Sequence, residues 1–525
     1  MTAWRRHPGW GRALLALAPG AVFALGFLGR PEESHWLNRS PLWGRGDPFY
    51  SDADRRFVAS PTLIWRGRPH HAGRTVYEFG GVENGFVHNS LGLRDDEPAR
   101  EPGTVRVVNL GDSATWGLNL ARRAESYSDQ LERRLASGGG GFDVVNAGTI
   151  GYSSLQGERW LALFGPALAP DVVTVYIGNN DSAPAGMPDS ERVPARFPRL
   201  FDHLSRNVFY LLAQKGLLAL QDEEIRARSA RFEEELRGEA GGAAPRRSKA
   251  EFYELFARVP PARHEENLRA IVRGSRERGA RVLLLKVPMN LLWPPVNRPA
   301  LVNALPRDGF WLPLQIRPRY LARAQRNGKR PAEESFDGHP YLSRITIAEA
   351  RAHLASQQRD LEQEIAALGR RAADGAASAR ERGRALHDLG VWKLIQRSPA
   401  DALARLDAAE AVAAADAGAL APFERALVAY ARGIARFDGG DADGAFAELR
   451  RARALWPFAM SPDYEEAFDR AAAEPGVEWI DLPALFAAAD PRFRGSALLH
   501  DWVHPDADGC RVIAEAIAQR IEGGR

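Results

Sequence analysis

At 525 residues the chain is longer than one hydrophobic core usually organises, so two or more domains, or one domain with a large insertion, are expected. Apolar residues at 45% and charged residues at 26% fit an ordinary globular protein; the 70 basic residues nearly cancel the 67 acidic ones, leaving +3, which argues against a nucleic-acid partner. The single cysteine, Cys510, excludes an internal disulfide framework and a cysteine-based zinc site.

The first predicted element lies at the N-terminus. Arg5, Arg6 and Arg12 precede the apolar run Ala13 to Leu28, and Glu32 and Glu33 follow it. A basic flank ahead of such a run predicts an export signal or membrane anchor over residues 1–30. The run is shorter than the roughly 20 residues of an unstrained spanning helix, and Pro19 and Gly20 interrupt it. Pro19 disfavours cleavage after Ala16-Leu17-Ala18, and Val22-Phe23-Ala24 is a weaker cleavage candidate. The expectation is therefore an uncleaved inner-membrane anchor with the bulk of the protein outside the cytoplasm, the alternative being a buried amphipathic helix.

Residues 31–100 are rich in Trp, Pro, His and Gly without sustained periodicity, and read as a lead-in wrapping the core. Phe86 to Asp96 carries turn chemistry at Asn89-Ser90 and Gly92. His70 and His71 have no third ligand at helical or hairpin spacing, so they read as part of a solvated loop rather than a metal site.

From Thr104 the pattern is β-α-β. The stretch Val105 to Gly117, VRVVNLGDSATWG, is a β-branched strand that delivers Ser113 into a Gly-Asp-Ser turn. A helix over Glu125 to Ala136 places Tyr127, Leu131 and Leu135 on one face. Further strands are predicted at Phe142 to Asn146, Val172 to Ile177, Arg281 to Val287 and Val477 to Leu482, with helices at His264 to Arg278 and Gly509 to Ile521. Apolar runs of this kind separated by helices imply an α/β fold, a doubly wound parallel five-stranded sheet covered on both faces.

Two helical stretches interrupt that plan. The first, residues 200–258, passes from an apolar helix into a mixed-charge run expected to be solvated helix and loop. An irregular region, 291–342, leads to the second, 343–460, which is alanine-rich and carries a degenerate repeat: Gly390, Ala402, Leu406 and Ala409 recur in spacing as Gly433, Ala445, Leu449 and Ala452, with Pro457 closing the second set. Small residues at these offsets let paired helices approach closely, a pattern that resembles tetratricopeptide hairpins, a helical bundle of similar spacing being the alternative. The sheet domain is then divided between 101–290 and 461–525.

A serine in a turn acquires chemistry only with a base and an oxyanion hole. Asn146 to Tyr152 is a glycine-bearing loop after the second strand; Gly178-Asn179-Asn180-Asp181 brings side-chain amides after the third; Asp501-Trp502-Val503-His504 supplies a carboxylate and an imidazole within one turn. These blocks, in order, resemble the SGNH or GDSL hydrolase superfamily: Gly111-Asp112-Ser113, then Gly151, then Gly178 to Asp181, then Asp501 to His504, with Asn89-Ser90-Leu91-Gly92-Leu93-Arg94-Asp95 similar to the segment before the serine strand in bacterial members. The resemblance covers roughly 85–200, 260–290 and 475–520, and neither insertion.

The resemblance implies the flavodoxin-like SGNH-hydrolase fold and a serine esterase needing no cofactor or metal. Its triad would be Ser113, His504 and Asp501, and its oxyanion hole the Ser113 and Gly151 N–H groups with the Asn180 amide. Asp112 and Asp181 are expected to be turn and hydrogen-bonding residues. Trp116 and Tyr152 are either acyl-pocket walls or packing groups, and His339 is a rival base ranked below His504. The expected substrate is an O-acylated small molecule or envelope glycan; an O-acyltransferase using the same site, and a scaffold binding a protein partner through the helical insertion, are the alternatives.

Overall fold

The structure is a computed structural model that describes residues 56–523 except 294–350, 232–247, most of 214–231 and shorter gaps, the longest of them 77–82. The expected anchor at 1–30, the irregular region beyond Trp293, His339 and Pro457 lie outside the described residues. Among the described residues no helix is long and apolar enough to cross a membrane.

Five parallel strands form the central sheet: β5 (Val105–Gly111), β6 (Phe142–Gly148), β7 (Val172–Tyr176), β8 (Arg281–Lys286) and β9 (Glu478–Asp481), in the order β6-β5-β7-β8-β9. All neighbouring pairs are parallel. Side chains alternate between two apolar layers with the period of a strand: Val108, Leu110, Val145, Val173, Val175, Val282 and Leu284 enter one, while Val107, Val144, Val172, Leu283 and Leu285 enter the other. Helices on both faces cover these layers. Tyr127–Ser137 and Ala507–Gly523 lie on one side; Ser154–Leu168, Pro261–Arg276 and Pro462–Ala472 lie on the other. The strands and helices expected from periodicity therefore stand within a few residues of their predicted bounds. Local caps explain those ends: Ser126 accepts from the Asp129 N–H, and Ser153 and Gln156 form a reciprocal capping box.

Ahead of the sheet lie two antiparallel hairpins that periodicity missed. They are β1 (Phe57–Ser60) with β2 (Ile64–Gly67), and β3 (Ala72–Val76) with β4 (Glu83–Val87). Their four or five residues alternate too briefly to register as strands, yet Phe57, Leu63, Ile64, Trp65 and Phe86 all enter the sheet's first apolar layer.

Between β8 and β9 the chain makes a long helical excursion and returns to pair β9 beside β8. Leu361–Ala373 leads into two hairpins, Ala379–Ile395 with Pro399–Ala415 and Pro422–Asp438 with Ala442–Leu455. The recurring offsets have one physical meaning in both. A Cβ at Gly390 would stand 2.5 Å from Leu406 Cγ, and one at Gly433 would stand 2.8 Å from Leu449 Cγ, so each glycine is where the partner helix's leucine seats.

Candidate active site

Strand β5 sits between β6 and β7, with Gly111 level with Gly148 and Tyr176. A Cβ at Gly111 would come within 1.8 Å of Thr115 Oγ1 and 2.7 Å of the Tyr176 carbonyl oxygen, so only glycine lets the chain turn here beside its neighbour strand. Asp112 caps the short helix Ser113–Trp116: Oδ1 accepts from the Ala114 N–H at 2.9 Å and Oδ2 from Asn179 Nδ2 at 3.1 Å. Burial pushes the Asp112 carboxyl up to about 6, against the pull of those donors and of His504. The far end of the helix is held by Arg94, a fully buried guanidinium that donates to the Trp116 and Gly117 carbonyls at 3.3 and 2.9 Å and lies 4.6 Å over the Trp116 ring. Asp95 accepts from the Asn146 N–H at 2.8 Å, so the Asn89 to Asp95 segment ties the serine turn to β6.

The histidine arrives on a pinned loop. Leu499 and Pro505 form an isolated bridge, and Asp501 Oδ1 accepts from the Val503 and His504 N–H groups at 3.0 and 2.9 Å. His504 Nδ1 lies 2.6 Å from Asp501 Oδ2, and its Nε2 lies 2.7 Å from Ser113 Oγ. All three residues are buried. Burial acts to lower the His504 pKa, but the Asp501 charge and hydrogen bond, with Asp112 behind them, hold it above the ordinary 6.5. The Asp501 carboxyl is likewise held below its usual range, because the His504 charge and the three N–H donors outweigh desolvation.

Gly151 takes φ of 79°, a left-handed conformation that side-chain-bearing residues avoid. Asn180 is buried and donates from Nδ2 to the Tyr152 carbonyl at 3.1 Å, so it lies beside the Gly151 loop. Asp181 behaves as a hydrogen-bonding residue: it accepts from the Ser154 N–H at 2.7 Å and from the Ser154 hydroxyl, and it meets His264 Nδ1 at 2.7 Å. The structure thus brings Ser113, Asp501 and His504 into one hydrogen-bonded series at the carboxyl edge of the sheet, with Gly151 and Asn180 on the adjoining loops. Trp116 and Tyr152 are fully buried packing groups rather than pocket walls: Trp116 meets Phe86 and His88, and the Tyr152 hydroxyl donates to the Trp65 carbonyl at 3.0 Å. His70 is exposed, as a solvated loop predicts, whereas His71 is half-buried with its ring 5.8 Å from that of Phe86.

Sequence reasoning missed Asn119. It sits at φ 71° just beyond the serine helix, and its Nδ2 donates to Asp501 Oδ2 at 3.3 Å, adding a donor to the carboxylate that faces His504. Its only signal was an Asn two residues after Gly117, in a position suited to left-handed backbone.

The doubly wound sheet and the loops at its carboxyl edge define an α/β protein of the SGNH type. Residues 110–244 match the GDSL-like Lipase/Acylhydrolase family, a span holding Ser113, Gly151 and Asn180 and stopping well short of Asp501 and His504. Over these residues the chain is similar to the SGNH/GDSL superfamily, and the match supports a hydrolase. Comparison with curated proteins finds no match. Among solved structures, the crystal structure of TesA is similar at 19% identity, covering 42% of this chain and 74% of that one, with a TM-score of 0.20.

Proposed function

We propose that this hydrolase is a serine esterase that cleaves O-acyl esters through an acyl-enzyme on Ser113. The observation that carries the reading is the series Ser113 Oγ to His504 Nε2 at 2.7 Å and His504 Nδ1 to Asp501 Oδ2 at 2.6 Å. Neutral His504 takes the hydroxyl proton as Ser113 attacks the ester carbonyl, and Asp501 keeps the imidazole in the tautomer that leaves Nε2 free to accept. The tetrahedral oxyanion is met by the Ser113 and Gly151 N–H groups and by the second N–H of the Asn180 amide, its first being committed to Tyr152. His504 returns the proton to the leaving alkoxide, and water attacks the acyl-enzyme by the same route.

The basic-flanked apolar run at 13–28 supports an extracytoplasmic setting, and with it O-acyl groups on an envelope glycan as the substrate class. The test is hydrolysis of p-nitrophenyl acetate by the full chain, with an organophosphonate as covalent label. Turnover together with label mapped to Ser113 is expected. A wild-type protein that neither hydrolyses the ester nor takes the label would sink the reading.

A further inference from the structure

If Gly151 supplies an oxyanion donor, something must hold its N–H in place, because a glycine at positive φ has little conformational preference of its own. Three successive carbonyls around it each receive a donor from a buried side chain. The Ile150 oxygen accepts from Trp65 Nε1 at 3.1 Å, the Gly151 oxygen from Arg258 Nη1 at 2.5 Å, and the Tyr152 oxygen from Asn180 Nδ2 at 3.1 Å. The first matters most directly. The Ile150 carbonyl and the Gly151 N–H belong to one planar trans peptide and point in opposite directions, so fixing the oxygen aims the N–H. A hydrogen bond to that oxygen also polarises the peptide and strengthens its N–H as a donor.

We infer that Trp65 and Arg258 are positioning residues for the oxyanion hole, a conclusion that rests on the esterase reading above. Both come from outside the stretch 110–200, where the serine, glycine and asparagine blocks lie. Trp65 sits in β2 of the first hairpin, and Arg258 follows the helix Lys249–Phe256 at the end of the first insertion. The two are built as one unit. The guanidinium lies 5.1 Å over the Trp65 ring, and Asp189, itself fully buried, grips it through Nε at 3.1 Å and Nη2 at 2.7 Å. Gln156 Oε1 accepts from Nη2 at 2.6 Å, and Gln156 Nε2 donates to the Leu63 carbonyl at 2.6 Å, returning the network to the hairpin. The Tyr152 hydroxyl closes it on the Trp65 carbonyl. A buried guanidinium with a bidentate carboxylate is rigid, so it holds the Gly151 carbonyl without a search through rotamers. The lead-in and the first insertion are thereby parts of the catalytic apparatus rather than decoration around it.

Trp65→Phe keeps an aromatic ring beside Arg258 while deleting the Nε1 donor, and the second ring lost with it is read separately as thermal stability. Losing a direct oxyanion donor typically costs 10²- to 10³-fold, so the loss of its positioning partner is expected to lower kcat by about ten-fold, with KM for p-nitrophenyl acetate held within about two-fold. A trifluoromethyl ketone, which forms a tetrahedral oxyanion adduct, should bind more weakly by the same factor as kcat/KM falls. Arg258→Lys should lose less than Arg258→Met, since the ammonium still reaches the carbonyl as a point charge. Rates are normalised to the folded fraction from near-UV circular dichroism. A Trp65→Phe protein with wild-type kcat and wild-type ketone affinity overturns the inference while leaving the esterase intact. So does a loss shared equally by KM and thermal stability. A wild-type protein inert to ester and phosphonate removes the esterase reading and this inference with it.

Discussion

The sheet domain and the helical hairpins both depend on glycines at points of close approach, but the approaches serve different ends. Gly390 and Gly433 admit a leucine from the neighbouring helix, and the result is apolar packing that repeats from one hairpin to the next. Gly111 admits a turn between strands, and the result is a buried polar cluster, Asp112, Ser113, Asn179, Asn180, Asp181, Asp501 and His504, collected at one edge of the sheet. Repeated apolar contact tolerates variation because any well-filled interface serves; a hydrogen-bonded series does not, since each buried group left unpaired costs about 1–3 kcal/mol. The two regions are nevertheless joined. Arg453, buried in the second hairpin and pushed down to about 10 by desolvation, donates to the Asn290 and Trp293 carbonyls, and the Asn290 N–H donates to the carbonyl of Trp502, between Asp501 and His504. Leu292 and Phe493 enter the hairpins' apolar core from the sheet side.

The largest expected effect falls on the polar cluster. Ser113→Ala should lower kcat for p-nitrophenyl acetate on the order of 10⁶-fold with no change in melting temperature, measured by steady-state hydrolysis and calorimetry. Residual turnover within ten-fold of wild type would assign the nucleophile elsewhere. Asp501→Asn should cost about 10⁴-fold, because an amide no longer enforces the productive tautomer of His504.

The same pair sets the pH profile. His504 works as a base only when neutral, and Asp501 holds its pKa above 6.5, so kcat/KM should fall as pH drops through a value above 6.5. Removing the carboxylate charge should move that acid limb to lower pH. An Asp501→Asn limb that coincides with wild type would mean another group titrates.

Asn180→Ala comes next, with a loss of about 10²- to 10³-fold in kcat and little change in KM, since the amide acts on the oxyanion rather than on the bound ester. Smallest is Gly433→Val in the hairpins. Its side chain meets Leu449 and, at 3.1 Å, the Ala445 carbonyl, and overpacking of this sort costs about 1–3 kcal/mol. The melting temperature should drop while kcat of the folded protein holds. A fall in kcat at full folding would show that the hairpins reach the site through Arg453, Asn290 and Trp502, and would dissolve the contrast between the two regions.

What could be read from the chain follows from range. The apolar runs VRVVNLG and VVTVY, the helical spacing of Tyr127, Leu131 and Leu135, and the glycine offsets at 390 and 433 are local patterns, and each stands in the structure where the sequence places it. The candidate residues Ser113, Gly151, Asn180, Asp501 and His504 could be picked out because their blocks are short and ordered. The hairpins of the lead-in were not, since four-residue strands such as IWRG carry too few alternations.

The sequence by itself determined a parallel α/β sheet, a serine turn, and a loop able to hold an aspartate and a histidine together. Only the tertiary structure decided which distant side chains serve them: Asn119 on Asp501, Arg94 on the serine helix, and Trp65 and Arg258 on the carbonyls beside Gly151. The reason is physical. A strand or a cap is fixed by neighbours along the chain, whereas a buried donor chooses its acceptor from whatever the folded core brings within 3 Å, and no spacing in the sequence records that choice.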